Sequence, residues 1–210
     1  AVDWVQELVA IMARLREPGG CPWDREQTHA SLKRFLVEET AELLDAIDDQ
    51  DDEAIADELG DVLLQIAFHA RIGQERGKFD MQDVARRICE KMRRRHPHVF
   101  AGGQAATPHA VTVKWDEIKR RERAAQGRDE RSRAPRSLPA LSRAQKAQSL
   151  AAKAGFKWPT AQAALAKIEE ELAEVKQAIA RGSSQDVAAE IGDLLFSVVS
   201  LSRFGGHQAE

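Results

Sequence analysis

Ten carboxylates in this chain form one pattern written twice. Glu38-Glu39-x-x-Glu42 is followed by Glu58-x-Gly-Asp61, and Glu170-Glu171-x-x-Glu174 by Glu190-x-Gly-Asp193, so that every acid recurs 132 positions later. Ala46-Ile47 recurs as Ala178-Ile179 at the same offset. Carboxylate oxygens without His or Cys suit a hard divalent cation, Mg²⁺ or else Mn²⁺, of the kind shared with substrate phosphates. Zinc does not fit: Cys21 and Cys89 lie far apart, and His96-Pro97-His98 flanks a proline instead of sharing a helical face.

A solvated acidic face would place basic partners three or four residues downstream. None of the ten acids has Lys or Arg there. On a helical wheel the apolar positions Leu36, Leu43 and Ile47 cluster, and Glu39 and Glu42 fall about 60° and 120° to one side. Glu58 and Asp61 bear the same relation to Ile55. Each helix thus offers a pair of acids on the shoulder of an apolar stripe, and antiparallel packing would bring four carboxylates together.

A bound phosphate also calls for positive charge. Lys91 and Arg95 stand at i,i+4 with Arg93 and Arg94 between them, either facing a phosphate or complementing a helix C-terminus. Trp115 and Lys119 form a second such pair, read as a substrate contact or, for the indole, as core. Cys21-Pro-Trp-Asp24 reads as a rigid turn opening a helix, with Trp23 a possible wall for a base.

These groups must be positioned almost entirely by helices. Ala, Leu, Glu, Arg and Gln are abundant and two-residue alternation is scarce, which predicts an all-α protein. The pattern predicts helices over 3–16, 28–49, 52–76, 80–95 (stopped by Pro97) and 107–124, then 142–154, 160–181 and 185–204. Between the halves, 120–139 holds seven arginines and two prolines with almost no large apolar residue. We therefore expect a first module at 1–123, a solvated linker at 124–139 and a second module at 140–210. The 132-residue offset argues for a duplicated helical unit. Units this short bury little apolar surface alone, so a homodimer is expected.

Composition narrows the rest. A net charge of -3 favours neither nucleic acid nor an anionic membrane, and the arginine-rich stretch lacks the interleaved aromatics of an RNA-binding segment. No apolar run is long enough to span a bilayer and no signal segment opens the chain, so a cytoplasmic location with two reduced thiols is expected.

Together, Cys21-Pro-Trp-Asp24, the first acidic set, Lys91-x-x-x-Arg95-His-Pro-His-Val-Phe100 and Trp115-x-x-x-Lys119 resemble the MazG family of the all-α nucleoside triphosphate pyrophosphatase superfamily, over nearly the whole chain. The resemblance implies helical modules dimerising into bundles, Mg²⁺ dependence, and cleavage of a nucleoside triphosphate to monophosphate and pyrophosphate. It implies Glu39, Glu42, Glu58 and Asp61 as metal ligands and Glu38 as the acid that orients or deprotonates water. Lys91 and Arg95 would be phosphate contacts with a catalytic role, and Trp115 and Lys119 substrate contacts, beside Trp23 as read from its turn. In the second unit Glu171, Glu174, Glu190 and Asp193 repeat the ligands, Glu170 repeats Glu38, and Lys153 and Trp158 lie just upstream as further substrate contacts. That unit reaches Glu210 without a Lys-x-x-x-Arg helix or a Trp-x-x-x-Lys segment, so the first is expected to be the more complete site. A narrower dNTP or phosphoribosyl-ATP pyrophosphatase, and an inactive nucleotide- or partner-binding module, are the alternatives.

Overall fold

A computed structural model describes residues 2–102, 107–125, 127 and 134–210, apart from the Arg123 side chain. Among these residues the protein is all-helical, as its composition predicts, and it divides into two compact units, one ending at Trp115 and one starting at Asp116.

The first unit holds α1 (Trp4–Arg16), α2 (Pro22–Glu26), α3 (Lys33–Asp48), α4 (Asp52–Glu75), α5 (Met81–Arg95), α6 (Pro97–Phe100) and the start of α7 (Pro108–Ala125). The second continues α7 and adds α8 (Ala140–Lys153), α9 (Ala161–Arg181) and α10 (Ser184–Phe204). Each unit is built on a hairpin, α3 with α4 and α9 with α10, and a preceding helix packs on the hairpin's second arm: α1 on α4, α8 on α10. Asp51 caps α4 by accepting from the Glu53 and Ala54 amides, both at 3.1 Å, and Ser183 caps α10 through Asp186. The turns between arms match across the 132-residue offset: Gln50 and Gly182 both have positive φ, at 56° and 72°.

Several boundaries differ from the sequence expectation. Helix α3 starts at Lys33, not 28, because Thr28 and Ser31 bond each other's amides through their hydroxyls, at 2.9 and 3.1 Å, and hold a turn there. Pro97 ends α5 but also stands at the first position of α6, where its missing N–H costs nothing. Helix α7 runs to Ala125, into the stretch read as linker, of which residues 126 and 128–133 lie outside the described residues.

The core of the first unit gathers Met12, Leu32, Phe68 and Ile72, flanked by Leu15, Phe35 and Leu64. Arg16 ties the Cys-Pro-Trp-Asp turn to it. Its side chain, 7% exposed, donates from Nε and Nη2 to Glu75 at 3.0 and 2.7 Å, and from Nη1 to the carbonyls of Asp24 and Gln27. Its guanidinium also lies over the Phe68 ring, 5.4 Å from the centroid.

The hairpin's rotation corrects the expected stripe. Ile47 is 46% exposed and Leu59 is 51% exposed, whereas Ala46 on α3 and Gln65, Phe68 and Ile72 on α4 are buried. On the wheel these buried positions lie about 80–140° from Leu36 and Ile55, on the side that carries the acids. The arms therefore turn their acidic shoulders toward each other and leave Ile47, Leu59 and Ile66 outward. The second hairpin repeats this: Ala164, Glu171, Val175 and Ala178 are buried, while Leu165, Leu172, Ile179, Ile191 and Leu195 are exposed.

Candidate active site: two carboxylate centres

Facing shoulders bring the predicted acids together. Glu39 from α3 and Glu58 and Asp61 from α4 each offer an oxygen within 4.8 Å of the others. Burial, then the charges of Asp61, Glu42 and Glu58, push the Glu39 carboxyl above its ordinary range, opposed by a side-chain hydrogen bond from Gln65. Burial pushes Glu58 up as well, with Glu42 and Asp61 adding repulsion. Glu42 thus belongs to the cluster electrostatically though its side chain is exposed, and Glu38 is exposed beside it. Glu58 Oε2 is buried with no hydrogen-bond partner.

A group of acids that repel one another, one with an orphaned buried oxygen, fits a divalent cation chemically. Glu39, Glu42, Glu58 and Asp61 are the residues able to hold it.

Aromatic rings stand one and two turns along the helices from these acids. Phe35 precedes Glu39 by four residues and Phe68 follows Gln65 by three. Trp23 packs edge-on against both rings, at 5.6 and 6.4 Å between centroids, with half its surface exposed. An accessible indole held on these two rings suits contact with a nucleobase. Lys91 and Arg95 are half-buried on the last turns of α5, which packs on α4. There His96 Nδ1 bonds the Met92 carbonyl at 2.7 Å, and its ring meets Trp115 edge-on at 4.9 Å. The Lys-x-x-x-Arg helix end and Trp115 are thereby joined through His96. Lys119 lies one turn further along α7.

The second centre is similar but not equal. Glu171, Glu174 and Glu190 come within 4.8 Å of one another, and Asp193, exposed, lies outside that closest set. Burial pushes Glu174 upward, helped by Glu171 and Glu190. Here a cation is built in: Lys167 Nζ bonds Glu170 at 2.8 Å and the buried Glu171 at 2.9 Å, and these carboxylates push the lysine's pKa up.

This corrects the expectation that the acids lack basic partners. The partner lies three and four residues upstream, on the same helical face as the acids. Its counterpart in the first unit is Phe35. Trp158 parallels Trp23 by a different bond: its indole N–H donates to Ser200, the counterpart of Phe68, at 2.7 Å. Lys153 pairs with Asp116 at 2.6 Å rather than with any of the acids. Gln65 and Lys167 are the residues at these centres that sequence reasoning missed. Both stand four residues from an acid, on its helical face.

Fold and site define an all-α protein whose hairpins gather carboxylates for a divalent cation. The MazG nucleotide pyrophosphohydrolase domain matches residues 27–100 and 159–210, covering both hairpins. The chain belongs to that family. It is 46% identical to the nucleoside triphosphate pyrophosphohydrolase/pyrophosphatase MazG of Thermotoga maritima over 95% of its own length and 75% of that protein. It is 44% identical to the nucleoside triphosphate pyrophosphohydrolase of Escherichia coli over its whole length and 81% of the relative. The uncharacterized Bacillus subtilis protein YabN is 47% identical across 66% of this chain and 28% of its own.

Proposed function

We propose that the protein is a Mg²⁺-dependent nucleoside triphosphate pyrophosphohydrolase, releasing a nucleoside monophosphate and pyrophosphate, with Mn²⁺ able to replace Mg²⁺. The observation that carries this reading is the mutually repelling cluster of Glu39, Glu42, Glu58 and Asp61, with its orphaned Glu58 oxygen, in a chain of this family. A divalent cation bound there supplies charge neutralisation and polarisation of the phosphate under attack. Glu38 orients water and draws its proton, and Lys91 and Arg95 meet the charge developing on the pyrophosphate. Trp23, Trp115 and Lys119 hold the nucleoside end.

In the second centre Glu171, Glu174, Glu190 and Asp193 take the ligand role, Glu170 that of Glu38, and Trp158 and Lys153 flank the substrate. Lys167 in this centre is already paired with Glu170 and Glu171, and the first unit, with Lys91 and Arg95, is the more complete site in this proposal. Pyrophosphate release from a panel of NTPs and dNTPs, with and without Mg²⁺, tests the reaction. Comparing Glu39→Gln with Glu171→Gln assigns it to a unit. Absence of Mg²⁺-stimulated release from every triphosphate would overturn the reading.

Two modules, 1–123 and 140–210, joined by 124–139, form a homodimer in this proposal. Its support is the outward stripe of Ile47, Leu59 and Ile66, repeated by Ile179, Ile191 and Val198 in the second unit, which a second copy would cover. A folded 23.3 kDa species in sedimentation at micromolar concentration would refute it. Two free cysteines fit a reducing cytoplasm, and no described helix is long and apolar enough to cross a membrane.

A further inference from the structure

Gln65 follows Asp61 by four residues, so it lies one turn beyond the ligand pair on the acid-bearing face of α4. It is 6% exposed, and its side chain acts on the Glu39 carboxylate across the hairpin, opposing the upward push on that carboxyl. An ionised carboxylate only accepts, so the amide NH₂ must be the donor. Its Oε1 is then left buried without a partner, in the same condition as Glu58 Oε2. The floor of the first centre thus holds two unpartnered acceptors, an arrangement unfavourable in the bare protein and resolved by a hydrated cation.

The second centre uses a different device. Position 197, the counterpart of Gln65, is a serine, and Glu171 is held instead by the Lys167 ammonium. Lysine fixes the glutamate but cancels one negative charge. An amide fixes Glu39 and leaves all four charges for the cation.

We infer that Gln65 is a positioning residue of the first centre: its amide fixes Glu39 for metal binding, and its Oε1 adds a neutral acceptor to the set that a hydrated cation meets. Outer-shell partners of this kind commonly change metal affinity by about 10–100-fold. The inference rests on the reading that Glu39, Glu42, Glu58 and Asp61 hold the cation.

The test uses the full chain carrying Glu174→Gln and Glu190→Gln, so that the first centre reports alone. Mn²⁺ binding is followed by electron paramagnetic resonance of the unbound ion, and metal-free helical content by circular dichroism. Gln65→Met should raise the Mn²⁺ Kd about tenfold, while metal-free helical content is kept because thioether fills a similar volume. An unchanged Kd overturns the inference. Weaker binding accompanied by a loss of metal-free helical content also overturns it, since that marks a packing role. Should Gln65→Met fail to fold, Gln65→Asn withdraws the amide by one methylene and carries the same expectation and the same refutation. Asp61→Asn separates the two claims. If it leaves Mn²⁺ binding intact, the cation reading itself fails; if it abolishes binding while both Gln65 variants bind normally, only the role of Gln65 falls.

Discussion

Replacing Arg16 by Met should unseat the turn that carries Trp23, and the size of the effect can be worked from its contacts. Met keeps most of the buried stem, so the loss is that of the guanidinium. Glu75 keeps Arg71 at 2.9 Å and is not stranded, which holds the cost below that of breaking an isolated buried pair. The Asp24 and Gln27 carbonyls lose their donor, at about 1 kcal/mol each, and the bidentate bonds to Glu75 account for about another 1–2. A total of about 3 kcal/mol corresponds to a fall of roughly 10–20 °C in melting temperature for a unit of this size.

Arg16→Lys keeps the charge but not the fork, and should fall between wild type and Met. The dependence on pH has a definite sign. The hydrogen bond from Arg16 is the largest influence on Glu75 and holds its pKa below the ordinary 4.5. The unfolded chain therefore takes up a proton first as pH falls, and the stability from this pair is present in full above 4.5 and lost below it. Calorimetry of wild type and Arg16→Met from pH 7 to pH 3 should show the gap between them shrinking below 4.5. Melting temperatures within a couple of degrees at pH 7, or a gap that widens on acidification, would refute the reasoning. If Trp23 contacts the base, KM for nucleotide should rise in Arg16→Met more than kcat falls.

Glu58→Gln or Asp61→Asn should lower Mg²⁺-dependent turnover on the order of 10²–10³-fold, while metal-free melting shifts upward because a repelling charge is gone; steady-state pyrophosphate release and circular dichroism read the two effects. Lys167→Met should lower the melting temperature in chelator, since Glu171 stays buried without its ammonium, and added Mg²⁺ should restore much of the loss. Gln50→Gly should stabilise by about 0.5–1 kcal/mol and Gly182→Ala should destabilise by about 1–2, because both positions hold positive φ; urea titration measures each.

Helix content was legible because Ala, Leu, Glu and Arg dominate and the stops at Pro97 and Gly182 are strong punctuation. The acids were legible because duplication removed chance from their spacing. What could not be read was the rotation of each hairpin about its own axis. In a periodic pattern the widest apolar stripe is the default core, yet Ile47 and Leu59 face outward and the shoulder bearing Glu39 and Glu58 faces in. Sequence also hid Lys167, because a search directed downstream of the acids passes over a lysine standing upstream on the same face. The Arg16 contacts join α1, the Cys-Pro-Trp-Asp turn and the end of α4, a meeting set by tertiary packing that no local pattern announces.

Gly60 and Gly192 precede the last acid of each set, and a Cβ at either would meet only open space. Nothing packed within the units requires a glycine there. A glycine in mid-helix lacks the side chain that shields its hydrogen bonds and weakens its turn by about 1 kcal/mol relative to alanine. The turn holding Glu58 and Asp61 is thus weaker than alanine would make it, as is that of Glu190 and Asp193. Each pair of acids therefore stands on a turn that costs less to distort than an alanine turn would.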